Sequence, residues 1–213
     1  MKTIVVNASP RKNWNTAELL KEAKKGAESV GAETEYVDLY DLHFTGRRSC
    51  LACKRKGAQP CKCYWKDDLS PVLESIFHAD ALLIGSPIYL GTTTSHFHAI
   101  TERLDFASLS YNDYACLVEK PISVGIFLTM NMPKEYYVEH VEPHLQTMFD
   151  WYKRLGGKFE VYPCCDTLQV KDYSKYDMAS FNEAHKKEVR EKQFPIDLKE
   201  AFRIGAEFSR EDA

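Results

Sequence analysis

The stretch ADALLIGSPIY, residues 79 to 89, is almost unbrokenly apolar. A strand with one wet face alternates apolar and polar residues; a strand without alternation is covered on both faces, as in a parallel sheet packed between helices. Four further segments read as strands: KTIVVNA at 2–8, ETEYVDLYDL at 33–42, PISVGIFLTM at 121–130 and KFEVYPCCDTL at 158–168. Helical patterns lie between them, at 15–30, from Asp67 or Asp68 to His78, at about 94–106 and at 133–155. Asn15 or Thr16 is placed to cap the first helix, Gly31 to stop it, and Gly156-Gly157 to end the fourth. Strand and helix in alternation predict an α/β domain with a five-stranded parallel sheet flanked by helices. Residues 1–170 are expected to form this domain, with a Cys-rich insert at 43–66. Residues 171–213 are expected to be a helical extension of the same domain, broken once at Pro195.

Five such strands suit a flavodoxin-like order. The formal charge of −3 gives no global basic field, so nucleic acid is not an expected partner. No apolar run approaches the roughly 20 residues that a membrane helix needs. The N-terminal residues do not read as a secretory signal, and a cytoplasmic location is expected. Seven cysteines, an odd number, argue for reduced thiols or a metal site over a disulfide scaffold.

In open parallel sheets, ligands bind beyond the carboxyl ends of the strands. The first strand runs into NASPRKNWNT, residues 7–16, which then opens a helix. Unpaired N–H groups and the dipole at a helix start favour an anion. Ser9 and Thr16 add hydroxyls, Asn13 and Asn15 amides, and Arg11 a charged fork. These residues suit a phosphate cradle or, more simply, a solvated turn with a capping Thr. Neither G-x-G-x-x-G nor G-x-x-x-x-G-K-[ST] is present, and a phosphate monoester at the end of a flavin suits the loop better. The third strand runs into GSPIYLGTTTSHFHAITERL, residues 85–104. Gly85 and Gly91 permit close backbone approach, and Pro87 stiffens the turn. Ile88, Tyr89 and Leu90 offer an apolar wall for a tricyclic flavin ring, or else continue the strand into the core.

These two loops together resemble the NADPH-dependent FMN reductase family of flavodoxin-like proteins. The segment CLACKRKGAQPCKCYWKDDL between them resembles the Cys-bearing insert of the iron–sulfur flavoprotein branch and its cluster-free relatives. The resemblance implies a flavodoxin-like fold, bound FMN, NAD(P)H as substrate, and dimers or tetramers. It carries the FMN-phosphate loop onto Ser9, Arg11, Asn15 and Thr16, and the loop beside the flavin ring onto Pro87, Ile88, Tyr89, Leu90 and Gly91. A third flanking loop falls at Thr129, Met130 and Asn131. Asn7-Ala8 stands before Ser9 where many members have glycine.

Residues 50–63 hold four of the seven cysteines, in the pattern C-x2-C-x7-C-x-C. Thiolates at Cys50, Cys53, Cys61 and Cys63 suit a [4Fe–4S] cluster or a tetrahedral zinc; otherwise they are free or redox-active thiols. In the branch, the third ligand follows the second by three residues, and here Lys56 stands at that place. Seven cations, among them Arg47, Arg48, Lys54 and Lys62, surround the thiols. They would lower thiol pKa values, attract an anion, or form a solvated basic loop. His96 and His98 face different sides of a helix and do not read as a metal pair. Cys164 and Cys165 read as buried small hydrophobes. Tyr111, Tyr114, Tyr136 and Tyr137 are expected at a helix surface or subunit contact.

The expected activity is transfer of electrons from a nicotinamide through FMN to a second small molecule, such as a quinone or a flavin. The cofactor carries that chemistry, so no side-chain acid, base or nucleophile is required. Backbone N–H groups near Tyr89 to Gly91 are candidates for stabilising the reduced, anionic flavin. Two other readings fit the residues: an electron carrier of flavodoxin or iron–sulfur flavoprotein type, and a metal-stabilised binding module.

Overall fold

In the computed structural model, residues 1–211 are described; residues 212 and 213, the last two of the expected extension, lie outside them. Strand β1 (Lys2–Asn7) leads into helix α1 (Asn15–Ser29), which Gly31 at φ +84° helps to end, and strand β2 (Glu33–Asp38) follows. After the insert come α2 (Leu69–Phe77), β3 (Ala81–Pro87), α3 (Ser95–Ser108) and β4 (Ile122–Thr129). A short helix α4 (Lys134–Tyr136) passes through a wider π turn at Tyr137–Val141 into α5 (Glu142–Lys153). Pro143 has no N–H to give the preceding turn, which accounts for a break in regular helix there. Strand β5 (Gly156–Cys164), α6 (Glu183–Lys192) and α7 (Phe194–Phe208) complete the chain.

All the strands are parallel, in the order β2-β1-β3-β4-β5. This is the flavodoxin-like order, with its switch point between β1 and β3. Every residue of β3 is buried, as its apolar run requires. Ile4, Val6, Leu82, Ile84, Val124 and Ile126 face the core shared with α2, α3 and α5. Their neighbours Val5, Leu83 and Phe127 face the opposite core, built with α1 and α7. On that face α1 and α7 approach closely. A Cβ on Gly26 would lie 2.0 Å from the Phe202 carbonyl oxygen, and one on Gly205 would lie 1.9 Å from that of Ala23.

Several boundaries differ from the sequence pattern. Gly156 and Gly157 begin β5; they do not close the helix before it, which ends at Lys153. Neither Asn15 nor Thr16 caps α1, because Trp14 is its N-cap residue and makes no side-chain cap bond. The break between the last two helices falls at Gln193, two residues before Pro195, which sits in the first turn of α7. Tyr137 is buried in the core, while Tyr111, Tyr114 and Tyr136 are exposed.

Candidate functional site

The loops after β1, β3 and β4 meet in one cleft at the carboxyl ends of the strands, joined by the segment after β5. Its walls are Ser9, Arg11, Trp14, Asn15, Thr16, Pro87, Ile88, Tyr89, Thr129, Met130, Asn131, Thr167 and Gln169. About 520 Å³ of empty space, open mouth included, lies between them.

The β1 loop is shaped by its own polar side chains. Buried Asn7 accepts from the Ser9 backbone N–H at 3.0 Å and donates to Asp38 at 2.7 Å. Ser9 Oγ accepts from the Arg11 N–H at 3.1 Å. These local bonds hold the chain in a turn and deliver it to the start of α1. No side chain caps that start, so its dipole and first-turn N–H groups favour an anion at the cleft floor. Thr16 Oγ1 lies 2.7 Å from Thr129 Oγ1, both buried, which joins the β1 and β4 loops directly. A Cβ on Gly85 would lie 2.9 Å from Thr16 Cγ2 and Leu20 Cδ1, so glycine is what lets α1 settle against β3 here.

The β3 loop closes as a tight turn, with paired bonds between Tyr89 and Thr92 at 2.8 and 3.1 Å. Leu90 and Gly91 are its corners, at φ +52° and +79°. Thr94 caps α3 and also donates from Oγ1 to the Ala8 carbonyl at 2.8 Å. Tyr40 stacks on His96 at 3.8 Å, and Phe44 meets the same ring edge-on at 5.1 Å. Burial holds His96 below the ordinary histidine value and pushes Tyr89 above the ordinary tyrosine value.

Ten of the thirteen candidate ligand residues line this cleft. Asn13 does not; it is exposed and accepts from Lys21 at 2.8 Å. Leu90 and Gly91 lie at the turn's outer corners, with Leu90 fully exposed. Asn15 lines the cleft, but its amide is occupied: Nδ2 donates to the Leu168 carbonyl at 2.9 Å, and Oδ1 accepts from Arg190 at 3.0 Å. Arg11 keeps a cation at the mouth while donating to the Gln169 carbonyl at 2.5 Å. Trp14, Thr167 and Gln169 were missed by sequence reasoning. The two after β5 follow a strand end, the one signal that could have found them.

The insert is organised by Arg103 of α3. Its guanidinium is 3% exposed and grips Asp67 at 2.6 and 2.8 Å. It also donates to Ser70 at 3.1 Å and to Cys63 Sγ at 3.3 Å. Lys54 donates to the Phe106 and Leu109 carbonyls. Arg47 lies over the Phe106 ring and Arg48 over Trp65, so several of the cations are held by local partners. Their expected lowering of thiol pKa is overturned at two positions. Burial pushes Cys53 up despite Lys54, and pushes Cys61 up to about 11, with Cys116 adding to the rise.

The four insert thiols also divide. Cys50, Cys53 and Cys63 line a hollow with Arg103, whereas Cys61 lines a different groove with Glu74 and Leu117, which Cys63 also borders. Among the described residues, no three His, Cys, Asp or Glu side chains come together as a metal site. In this arrangement Cys61 lies outside the hollow that Cys50, Cys53 and Cys63 share, and Cys63 accepts from Arg103, so the four thiols are not gathered around one point. Cys164 is buried and bonded to Asp197 at 3.1 Å; Cys165 is partly buried. No helix among the described residues is long and apolar enough to cross a membrane.

An all-parallel 2-1-3-4-5 sheet with a loop-built cleft at its switch point defines a flavodoxin-like protein. Residues 1–151 match the family model of the NADPH-dependent FMN reductases, and the chain belongs to that family. It is 33% identical over 103 residues to an iron–sulfur flavoprotein of Methanocaldococcus jannaschii, covering 48% of this chain and 51% of that protein. It is 33% identical over 109 residues to one of Archaeoglobus fulgidus, covering 51% of each. The chain thus spans about half the length of these curated relatives. Among solved structures, it is similar in fold to an NAD(P)H:quinone oxidoreductase from Methanothermobacter marburgensis. The TM-score is 0.70 at 16% identity, over 97% of this chain and 98% of that one.

The cleft has the donor set that FMN needs. The uncapped start of α1, with Ser9 and Arg11, suits a phosphate; Ile88 and Tyr89 supply apolar wall. Asn131 Oδ1 is buried without a partner among the described residues, an acceptor left for a donor in the cleft.

Proposed function

We propose that the protein is an FMN-dependent oxidoreductase that takes electrons from NAD(P)H and passes them to a second small molecule, such as a quinone or a flavin. The observation that carries this reading is the convergence of three strand-end loops on one cleft, which brings the uncapped start of α1, Ser9 and Arg11 together with the apolar Ile88 and Tyr89. Membership of the FMN reductase family supports it. Bound FMN would supply the hydride and electron chemistry; the protein supplies position, electrostatics and exclusion of water. On this reading the α1 start, Ser9 and Arg11 hold the phosphate, while Thr16 and Thr129 lock the floor beneath it. Pro87, Ile88 and Tyr89 set the wall, and Met130 and Asn131 close the opposite side. Leu90 and Gly91 shape the turn that presents Tyr89. The Tyr89 and Thr92 N–H groups are paired within the turn, so on this reading negative charge on the reduced ring would be steadied by those of Leu90 and Gly91.

The reading includes a cytoplasmic homodimer or homotetramer. Leu90 and Tyr136, both exposed, supply apolar area that such contacts would cover. The test is absorbance of the purified protein incubated with FMN and then desalted, followed by NADPH oxidation with a quinone. Retained flavin bands and quinone-dependent turnover are expected. Loss of all flavin on desalting, with no fluorescence quenching in titration, would sink the reading.

A further inference from the structure

The segment after β5 and helix α6 lie beyond the residues matched to the family model, yet they anchor two loops of the cleft. Lys186 of α6 is buried, 4% exposed. Its Nζ donates to the Asn131 carbonyl at 2.6 Å and pairs with Asp166. The Asp166 N–H in turn donates to the Met132 carbonyl at 2.9 Å, and the Thr167 N–H donates to that of Met130 at 3.0 Å. Four residues along α6, hence on the same face, Arg190 donates to Asn15 Oδ1 at 3.0 Å. It also grips the Glu18 carboxylate of α1 at 2.6 and 2.9 Å. One helix therefore holds the loop after β4 with one cation and the first turn of α1, where the loop after β1 ends, with the next.

A buried ion pair is weak evidence for stability, because desolvation offsets most of the attraction; fixing one arrangement is a better-attested use. Here Lys186 fixes the backbone of Asn131, whose side-chain oxygen is the buried acceptor without a partner. Arg190 fixes the amide of Asn15, at the start of α1 where an anion is favoured. We propose that α6 is a brace that sets the spacing of the two loops, and that Lys186 and Arg190 are positioning residues for the cofactor held between them. This rests on the reading of the cleft as an FMN site.

The test uses the full-length protein freed of flavin. FMN is titrated by fluorescence quenching into wild type, Lys186→Met, Arg190→Met, the double variant and Lys186→Arg. Visible circular dichroism is recorded at saturation, and the melting temperature of each flavin-free protein is measured. Releasing either end releases the brace, so each Met variant should weaken FMN binding at least tenfold and alter the dichroism of the bound flavin. The double variant should be little worse than either single one, since both act on one spacing. Lys186→Arg should restore most of the affinity. Arg190→Met, at a half-exposed side chain, keeps the test open should Lys186→Met not fold. Lower melting temperatures with unchanged affinity and dichroism would overturn the proposal, as would fully additive losses. If wild type binds no FMN, the reading of the cleft fails and takes this proposal with it. If wild type binds and the variants bind equally well, this proposal fails alone.

Discussion

Arg103→Met is the sharpest probe of the insert. The Arg103–Asp67 pair is buried, with side chains 3% and 10% exposed, and it has two bonds of 2.6 and 2.8 Å. Methionine keeps much of the stem's packing and removes the charge. Asp67 is then left as a carboxylate with no cation beside it, while Cys63 and Ser70 each lose a donor. Breaking one side of such a pair costs about 3–5 kcal/mol. For a chain of this size, about 2–4 °C of melting temperature per kcal/mol gives a fall of roughly 6–20 °C. Asp67→Asn on the same background removes the stranded charge but keeps an acceptor for the Leu69 N–H, now at 3.2 Å, so it should recover more than half of the loss. Urea melts followed by circular dichroism measure both variants, and Ellman's reagent reports whether Cys53 and Cys63 become accessible. A single variant within about 1 kcal/mol of wild type, or a double variant no better than the single, would refute Arg103 as the centre of the insert.

Other consequences are equally open to measurement. Gly85→Ala forces a methyl against Thr16 and Leu20; a loss of about 1–3 kcal/mol in urea melts is expected, with weaker FMN retention. Gly205→Ala, whose methyl would strike the Ala23 carbonyl, should cost more than Gly85→Ala, because backbone and not a side-chain end must move. Burial pushes Asp166 up, but hydrogen bonds from Lys186 and His185 outweigh it and hold the carboxyl below its ordinary value. A lowered folded-state pKa gives stability that is present above about pH 4, the unfolded value, and is lost as pH falls through the folded value. Asp166→Asn should flatten that acid limb in melts between pH 3 and pH 6. Exposed Cys50 should react with Ellman's reagent at pH 8 well before Cys61, held at about 11, and before buried Cys164.

The fold was legible where burial on both faces writes itself into sequence. The run at 79–89 predicts β3 because every one of its seven strand residues is covered. The two loops that wall the cleft were legible too, since both leave strand ends and enter helices with a surplus of polar residues. What escaped was decided by partners distant in sequence. Asn15 looks like an anion donor until Leu168 and Arg190, more than 150 residues away, take its amide. The insert's cations look like activators of thiols, but Phe106, Trp65 and carbonyl groups claim several of them, and burial raises two of the thiols. Gly156-Gly157 carries a helix-stop signal at the start of a strand, where Gly156 at φ +82° turns the chain. Local composition does not distinguish the two uses.

The glycine contact between α1 and α7 also bears on how the molecule is made. The start of α7 lies 179 residues after that of α1, and Thr3 donates to Ser209 at 2.8 Å from 206 residues away. At about 5–20 residues per second, synthesis takes roughly 10–40 s to pass from one to the other. Until the second helix leaves the ribosome, one side of the nascent sheet, with Val5, Leu83 and Phe127, has only α1 to cover it. That interval is when the chain is most exposed to aggregation and most in need of a chaperone, and cuts near the 3′ end of the message would leave it permanently in that state.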